Sequence, residues 1–196
     1  MMTYLSSLSQ TSTGSPSVGN DSWLAATFGT GNNAGGYSLD SIQLGMADAS
    51  GTPSGFTVML YSAISGGATL PGSCLGTLNG SLDPTTAGIY TFTPAASLTL
   101  SPHTGYFIVL TGGTTVVNGA YSWSESTFPP SSSDNWSANN FVLHSSNGTS
   151  GWSPTPYLGI AQFAINATPI PEPGVLGLFG FGGLAFLWHR RKAKAI

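Results

Sequence analysis

Positive charge is what this sequence has least of. Residues 1 to 170 contain neither Lys nor Arg, and the four basic side chains, Arg190, Arg191, Lys192 and Lys194, all fall within the last seven of 196 residues. The first 170 residues carry Asp21, Asp40, Asp48, Asp83, Glu125 and Asp134, which leaves that part at about −6. A nucleic-acid binder neutralises phosphates with Lys and Arg. Nucleic acid is therefore excluded as a partner of this part. Cysteine is nearly absent as well. Cys74 is the only one, so an intramolecular disulfide and a multi-thiolate zinc site are both excluded. The residue reads as a small, half-buried apolar side chain in a strand, with intermolecular pairing as the alternative. Helical periodicity is missing too: no segment before residue 174 sustains it over ten residues without Gly or Pro.

Charged residues are only 6% of the chain, and Gly, Ser, Thr and Asn stand in their place. That exchange removes helix formers and supplies turn-formers and β-branched residues. Apolar residues at 40% suffice for a core, and Trp, Tyr, Phe, Ile, Leu and Val are plentiful enough to argue against disorder. From Trp23 onward, short apolar runs alternate with turn signals such as Gly35-Gly36, Asn79-Gly80, Asn118-Gly119 and Asn147-Gly148. The pattern predicts strands at Trp23–Phe28, Tyr37–Met46, Phe56–Ser62, Cys74–Leu78, Ile89–Thr93, Gly105–Thr111, Ala120–Ser124, Phe141–His144 and Tyr157–Ile165. The expected fold is all-β: an antiparallel two-sheet β-sandwich, jelly-roll-like, over residues 23–168, with a single C-terminal transmembrane helix. Its core should hold Leu39, Ile42, Val58, Leu60, Phe92, Ile108, Leu110 and Phe163. The runs Phe56–Tyr61 and Tyr106–Leu110 are apolar at nearly every position, which predicts strands covered on both faces.

Signals for chemistry are sparse. No Gly-x-Ser-x-Gly elbow is present. His103 sits in a Ser-Pro-His-Thr turn and His144 ends a strand, so both read as surface residues. No His pair or carboxylate-rich loop suggests a metal. Glu125 and Asp134 would act as paired carboxylates only if folding brought them together. The chain is accordingly not expected to be an enzyme, and no catalytic residue, metal or cofactor is assigned. Trp23 and Trp123 lie in strands and read as core. Trp136 and Trp152 lie in the Pro/Ser-rich stretches Phe128–Asn135 and Gly148–Pro156 or at their edge, read as surface loops, and are the candidate ligand contacts. The sequons at Asn79, Asn135, Asn147 and Asn166 are expected by chance in so Ser/Thr-rich a chain.

Both ends depart from the middle. Residues 1–22 are polar, with neither a basic n-region nor an apolar stretch long enough for an export signal. Either the true start lies upstream or the protein stays inside; the tail favours the first. Residues 169–196 contain Pro171-Glu172-Pro173, an uncharged apolar run at 174–188, and a basic cluster at 189–194 including Arg190, Arg191 and Lys192. The positive-inside rule holds such a cluster in the cytoplasm and leaves the domain outside. Fifteen helical residues span ~22 Å, short of a ~30 Å hydrocarbon core. Snorkelling of Arg190 and Arg191, with Trp188 at the interface, covers the gap.

This ordered set resembles the PEP-CTERM sorting signal of Gram-negative, exopolysaccharide-forming bacteria. The resemblance implies an exported precursor held in the inner membrane and processed by exosortase near the tripeptide, then carried to the cell surface or beyond. The rest of the chain resembles the choice-of-anchor domains of type R. The residues concerned are Ser22-Trp23-Leu24-Ala25, Tyr37-x-Leu39-Asp40-Ser41-Ile42, Phe56-Thr57-Val58-x-Leu60-Tyr61, Gly88-x-Tyr90-x-Phe92 and the stretch Leu98 to Leu110. That likeness implies a β-sandwich displayed on an interchangeable anchor. The functional expectation is a structural surface or matrix protein associated with exopolysaccharide. The alternative is a carbohydrate-binding module that uses loop aromatics.

Overall fold

Short β-branched and aromatic runs, each closed by Gly, Asn or Pro, cannot sustain a helix but fit a pleated surface. The computed structural model describes residues 1–64, 70–80, 82–155 and 159–172, and every regular element among them is a strand. In chain order these are β1 (Met2–Ser6), β2 (Ser17–Val18), β3 (Trp23–Gly29), β4 (Tyr37–Gly51), β5 (Thr57–Ile64), β6 (Leu70–Gly80), β7 (Gly88–Pro94) and β8 (Thr99–Leu100). There follow β9 (Gly105–Thr111), β10 (Gly119–Trp123), β11 (Glu125–Ser126), β12 (Ser131–Ser132), β13 (Ser137–Ser145), β14 (Ser153–Pro154), β15 (Ile160–Ala161) and β16 (Phe163–Pro169).

Two separate sheets were expected. Hydrogen bonding instead runs unbroken through 14 strands in the order β12-β1-β16-β4-β7-β6-β5-β9-β3-β13-β14, with β10, β2 and β8 joined off this path, and the sheet is strongly curled. A two-stranded ladder of β11 with β15 stands apart. The cause of the continuity is β4, which is 15 residues long and has two partners along each edge. One edge pairs with β16 over Tyr37–Leu44 and then with β10 over Met46–Gly51. The other pairs with β8 at Tyr37–Ser38 and then with β7 over Ile42–Met46. A second correction concerns the N-terminus. Met2–Ser6, expected in a polar segment ahead of the domain, is a strand between β16 and β12 with Leu5 only 1% exposed. Hydroxyl side chains make this possible: Ser7 Oγ donates to the Ala161 carbonyl at 3.1 Å and Thr3 Oγ1 to Asn166 Oδ1 at 2.6 Å. The apolar run 174–188 lies outside the described residues, and among those described no helix is long and apolar enough to cross a membrane.

The curled sheet encloses one core. The eight residues expected there are each 4% exposed or less, and they join side chains from nearly every long strand in a single cluster. A second cluster covers the outer face of β13, β3, β9 and β5. Register puts Leu143, Ala25, Val109 and Met59 opposite one another in one row across those four strands. Both faces of β5 and β9 are thus apolar, which is why their sequences do not alternate. Near the N-terminal strand the core is aromatic. The Trp136 ring stacks on Tyr4 at 4.8 Å between centroids and meets Tyr37 edge-on at 4.9 Å. Its indole N–H, buried, finds no hydrogen-bond partner of ordinary geometry among the described residues. Trp136→Phe removes that donor while keeping most of the ring, so a loss under about 1.5 kcal/mol is expected. Trp136→Ala empties the stack and should cost ~3–5 kcal/mol. Urea midpoints of the two variants check the contrast.

Candidate sorting site

The chain leaves the fold at a defined point. Strand β16 ends at Pro169, and one further residue is held: the Ile170 N–H donates to the Gly36 carbonyl at 3.0 Å, and Asn33 Nδ2 donates to the Ile170 carbonyl at 2.9 Å. The glycine pair read as a turn signal makes this clamp possible. A Cβ on Gly35 would lie 2.3 Å from the Ile170 oxygen, and Gly36 has φ +75°, where L side chains are strained. Pro171 has no N–H, so the ladder cannot continue through it. Pro171 and Glu172 are exposed. Two residues of the Pro-Glu-Pro tripeptide therefore stand clear of the sheet immediately after its last hydrogen bond. Pro173, the apolar run and the cluster Arg190, Arg191 and Lys192 lie outside the described residues.

Residues 169–192 match the family model described as the PEP-CTERM protein-sorting motif. The tail carries a protein-sorting motif. A PEP-CTERM motif implies an exported protein, sorted in dependence on exosortase, that passes through the membrane before reaching the surface. The match begins at the last residue of β16 and leaves the curled sheet unassigned. No curated protein and no solved structure matches the chain.

The remaining candidates are scattered. Trp136, expected in a solvent-facing loop, is 2% exposed and stacked inside the core, because the preceding turn folds back at Asp134 and Asn135 (φ 52° and 57°). Both faces of its ring are taken, by Tyr4 and Phe28. Trp152 is half-buried and packs against the outer-face cluster. Trp123 is fully buried, as read, and its indole N–H donates to the Gln162 carbonyl at 3.0 Å. Trp23 is only half-buried, on the outer face. Cys74, read as half-buried, is exposed in β6. His103 is exposed at the left-handed position of its turn (φ 49°). Asn166, one of the chance sequons, is 3% exposed and bonded to Thr3 and Ser41, which leaves no room for a glycan.

Folding does not bring Glu125 and Asp134 together. Asp134 accepts the Tyr37 hydroxyl, and the two raise that phenol's pKa with burial as the larger cause. Glu125 is 2% exposed in the β11–β15 ladder, between Gly14 and Gly159, and its Oε1 has no hydrogen-bond partner among the described residues. Burial alone lifts its pKa from 4.5 to about 6. Sequence reading weighed this residue only as a possible carboxylate partner of Asp134; nothing local in Ser-Glu-Ser signals burial. The folded state keeps a proton that the unfolded chain releases between pH 4.5 and about 6. Stability therefore falls as pH rises through that window, and a loss on the order of 2 kcal/mol persists above it. Glu125→Gln cannot lose the proton. Urea titrations of both proteins should agree near pH ~3 in their pH-dependent part and diverge by that amount at pH ~7, with the variant the more stable.

Proposed function

We propose that this chain is a structural protein of the cell surface or extracellular matrix, associated with exopolysaccharide, whose tail is a temporary inner-membrane anchor removed by exosortase. The ectodomain is a display module of the choice-of-anchor kind, and it has no catalytic role. The observation that carries the reading is the position of the sorting motif, which starts where the sheet ends and holds its first two tripeptide residues in the open. Two prolines flanking Glu172 favour extended backbone, the shape a protease cleft takes up. They also keep a membrane helix from growing back into the fold. Arg190 and Arg191 set the orientation before cleavage.

A second reading, a carbohydrate-binding module, is favoured by the chemistry of the surface. With no Lys or Arg before residue 171, the ectodomain offers mainly hydroxyl, amide and carbonyl groups, suited to neutral sugars. Trp152 is the aromatic left to such a role among the two loop candidates, since Trp136 is enclosed.

Mass spectrometry of surface-extracted protein tests the main reading. The mature chain is expected to lack Gly174–Ile196. Replacing Pro171, Glu172 and Pro173 by alanine should trap the full-length chain in the inner membrane. A surface protein that still ends at Ile196 would establish a permanent anchor instead.

A further inference from the structure

We infer that the ectodomain holds a binding site for one unit of a neutral sugar, at the end of the core where β3, β13 and β14 face the segment 16–22. The proposal rests on the carbohydrate-binding reading above and gives it a place other than the loop tryptophans.

Register builds one wall. His144 is paired with Leu24 of β3 on one side and with Ser153 of β14 on the other. Residues directly opposite in an antiparallel ladder share a face, so Leu24, His144 and Ser153 line up on one side of the sheet. That side is the inner one, because Leu24 belongs to the main core while its neighbour Ala25 belongs to the outer cluster. Pro16, Ser17 and Ser22 form the opposite wall, fixed by the pairing of β2 with β10 and by the Ser22 hydroxyl donating to the Ser17 carbonyl at 2.8 Å. Between the walls lies a groove of about 330 Å³, which Pro154 and Thr155 also border. That volume is at the lower limit of small-molecule sites.

The lining has unused capacity of a particular kind. The side chains of Ser17, Ser153 and His144 make no hydrogen bond to any described residue, although each borders the groove. Leu24 and Pro16 supply apolar surface beside them. A pyranose matches both, with C–H faces for the apolar surface and hydroxyls that donate and accept for Ser and His. Charge narrows the ligand further. No Lys or Arg precedes residue 171, so a phosphate, sulfate or uronic acid would be desolvated here without a full countercharge. Asp21, beside Ser22, accepts the Val116 N–H at 2.8 Å and is not among the residues that line the groove. A neutral hexose unit is what remains.

The test uses the full chain, isotope-labelled and kept in a phosphocholine detergent free of sugar headgroups. The probes are cellotetraose, maltotetraose and mannotetraose, with trigalacturonate as the acidic comparison. At least one neutral probe should shift the His144 imidazole signal together with the Ser17, Ser22 and Ser153 amides, and trigalacturonate should not. His144→Ala, and Ser17→Leu which fills the groove, should each weaken binding roughly fivefold to tenfold, while His144→Gln keeps part of the affinity. Amide spectra of the free variants establish that the fold is retained. A neutral sugar that binds parent and variants equally, or that shifts the signals around Trp152 alone, overturns this site but leaves the carbohydrate reading standing. Absence of any shift with all three neutral probes overturns both. Preferential binding of trigalacturonate overturns the neutral-ligand assignment.

Discussion

Strand β4 holds the two sides of the molecule in one hydrogen-bond network. Its partners change halfway along each edge, and the changes are sealed by backbone bonds. On one edge β16 gives way to β10 at Gly45: the Gly45 N–H donates to the Gln162 carbonyl at 2.9 Å, Ser124 N–H to the Gly45 carbonyl at 2.9 Å, and Gln162 N–H to the Ser124 carbonyl at 2.7 Å. On the other, Leu39 N–H donates to the Leu98 carbonyl at 2.9 Å and bridges the gap between β8 and β7. A Cβ on Gly45 would sit 3.0 Å from Gln162 Cβ, so a larger residue would press the neighbouring side chain aside. The curl, the enclosure of the core and the place where the C-terminal strand is clamped all depend on this strand being continuous.

A fold with almost no cations must satisfy its buried polar groups without ion pairs. The only ion pair among the described residues joins the N-terminal amine to Asp40 at 4.0 Å. Buried polar side chains are served by hydroxyls and amides, as in Thr3–Asn166–Ser41 and in Ser7 with the Phe163 and Ala161 backbone. Neutral hydrogen bonds contribute about 1 kcal/mol each and are insensitive to salt. Glu125 is the exception, a carboxyl enclosed with one oxygen unpartnered among the described residues, and it makes stability depend on pH in a chain that otherwise has few groups to titrate.

Sequence patterns located most strands because turn-formers bracketed them; Gly105–Thr111 coincides end to end with its expected range. They located the core because apolar residues on those strands had few other places to go. They missed β1 and the interior position of Trp136 for one shared reason. Both lie in Ser/Thr-rich stretches whose polarity resembles that of loops, and only pairing with distant segments buries them. Leu5 lies opposite Ile165, and Trp136 reaches Tyr4; neither relation has a local trace. The same holds for the row Leu24–His144–Ser153, which joins three parts of the chain across strand pairings.

What the sequence determined by itself is the all-β class, the lack of an intramolecular disulfide and the sorting motif of the tail, because composition, cysteine count and an ordered short motif are properties of the chain as written. Tertiary structure alone decided that the sheet is continuous rather than double, that the N-terminal segment belongs inside it, and that the chain lets go at Ile170. Those outcomes depend on which strand edges meet. A hydrogen bond such as Ile170 to Gly36 spans more than a hundred residues, and the energy that selects it comes from burial around a shared core, which no local stretch of sequence contains.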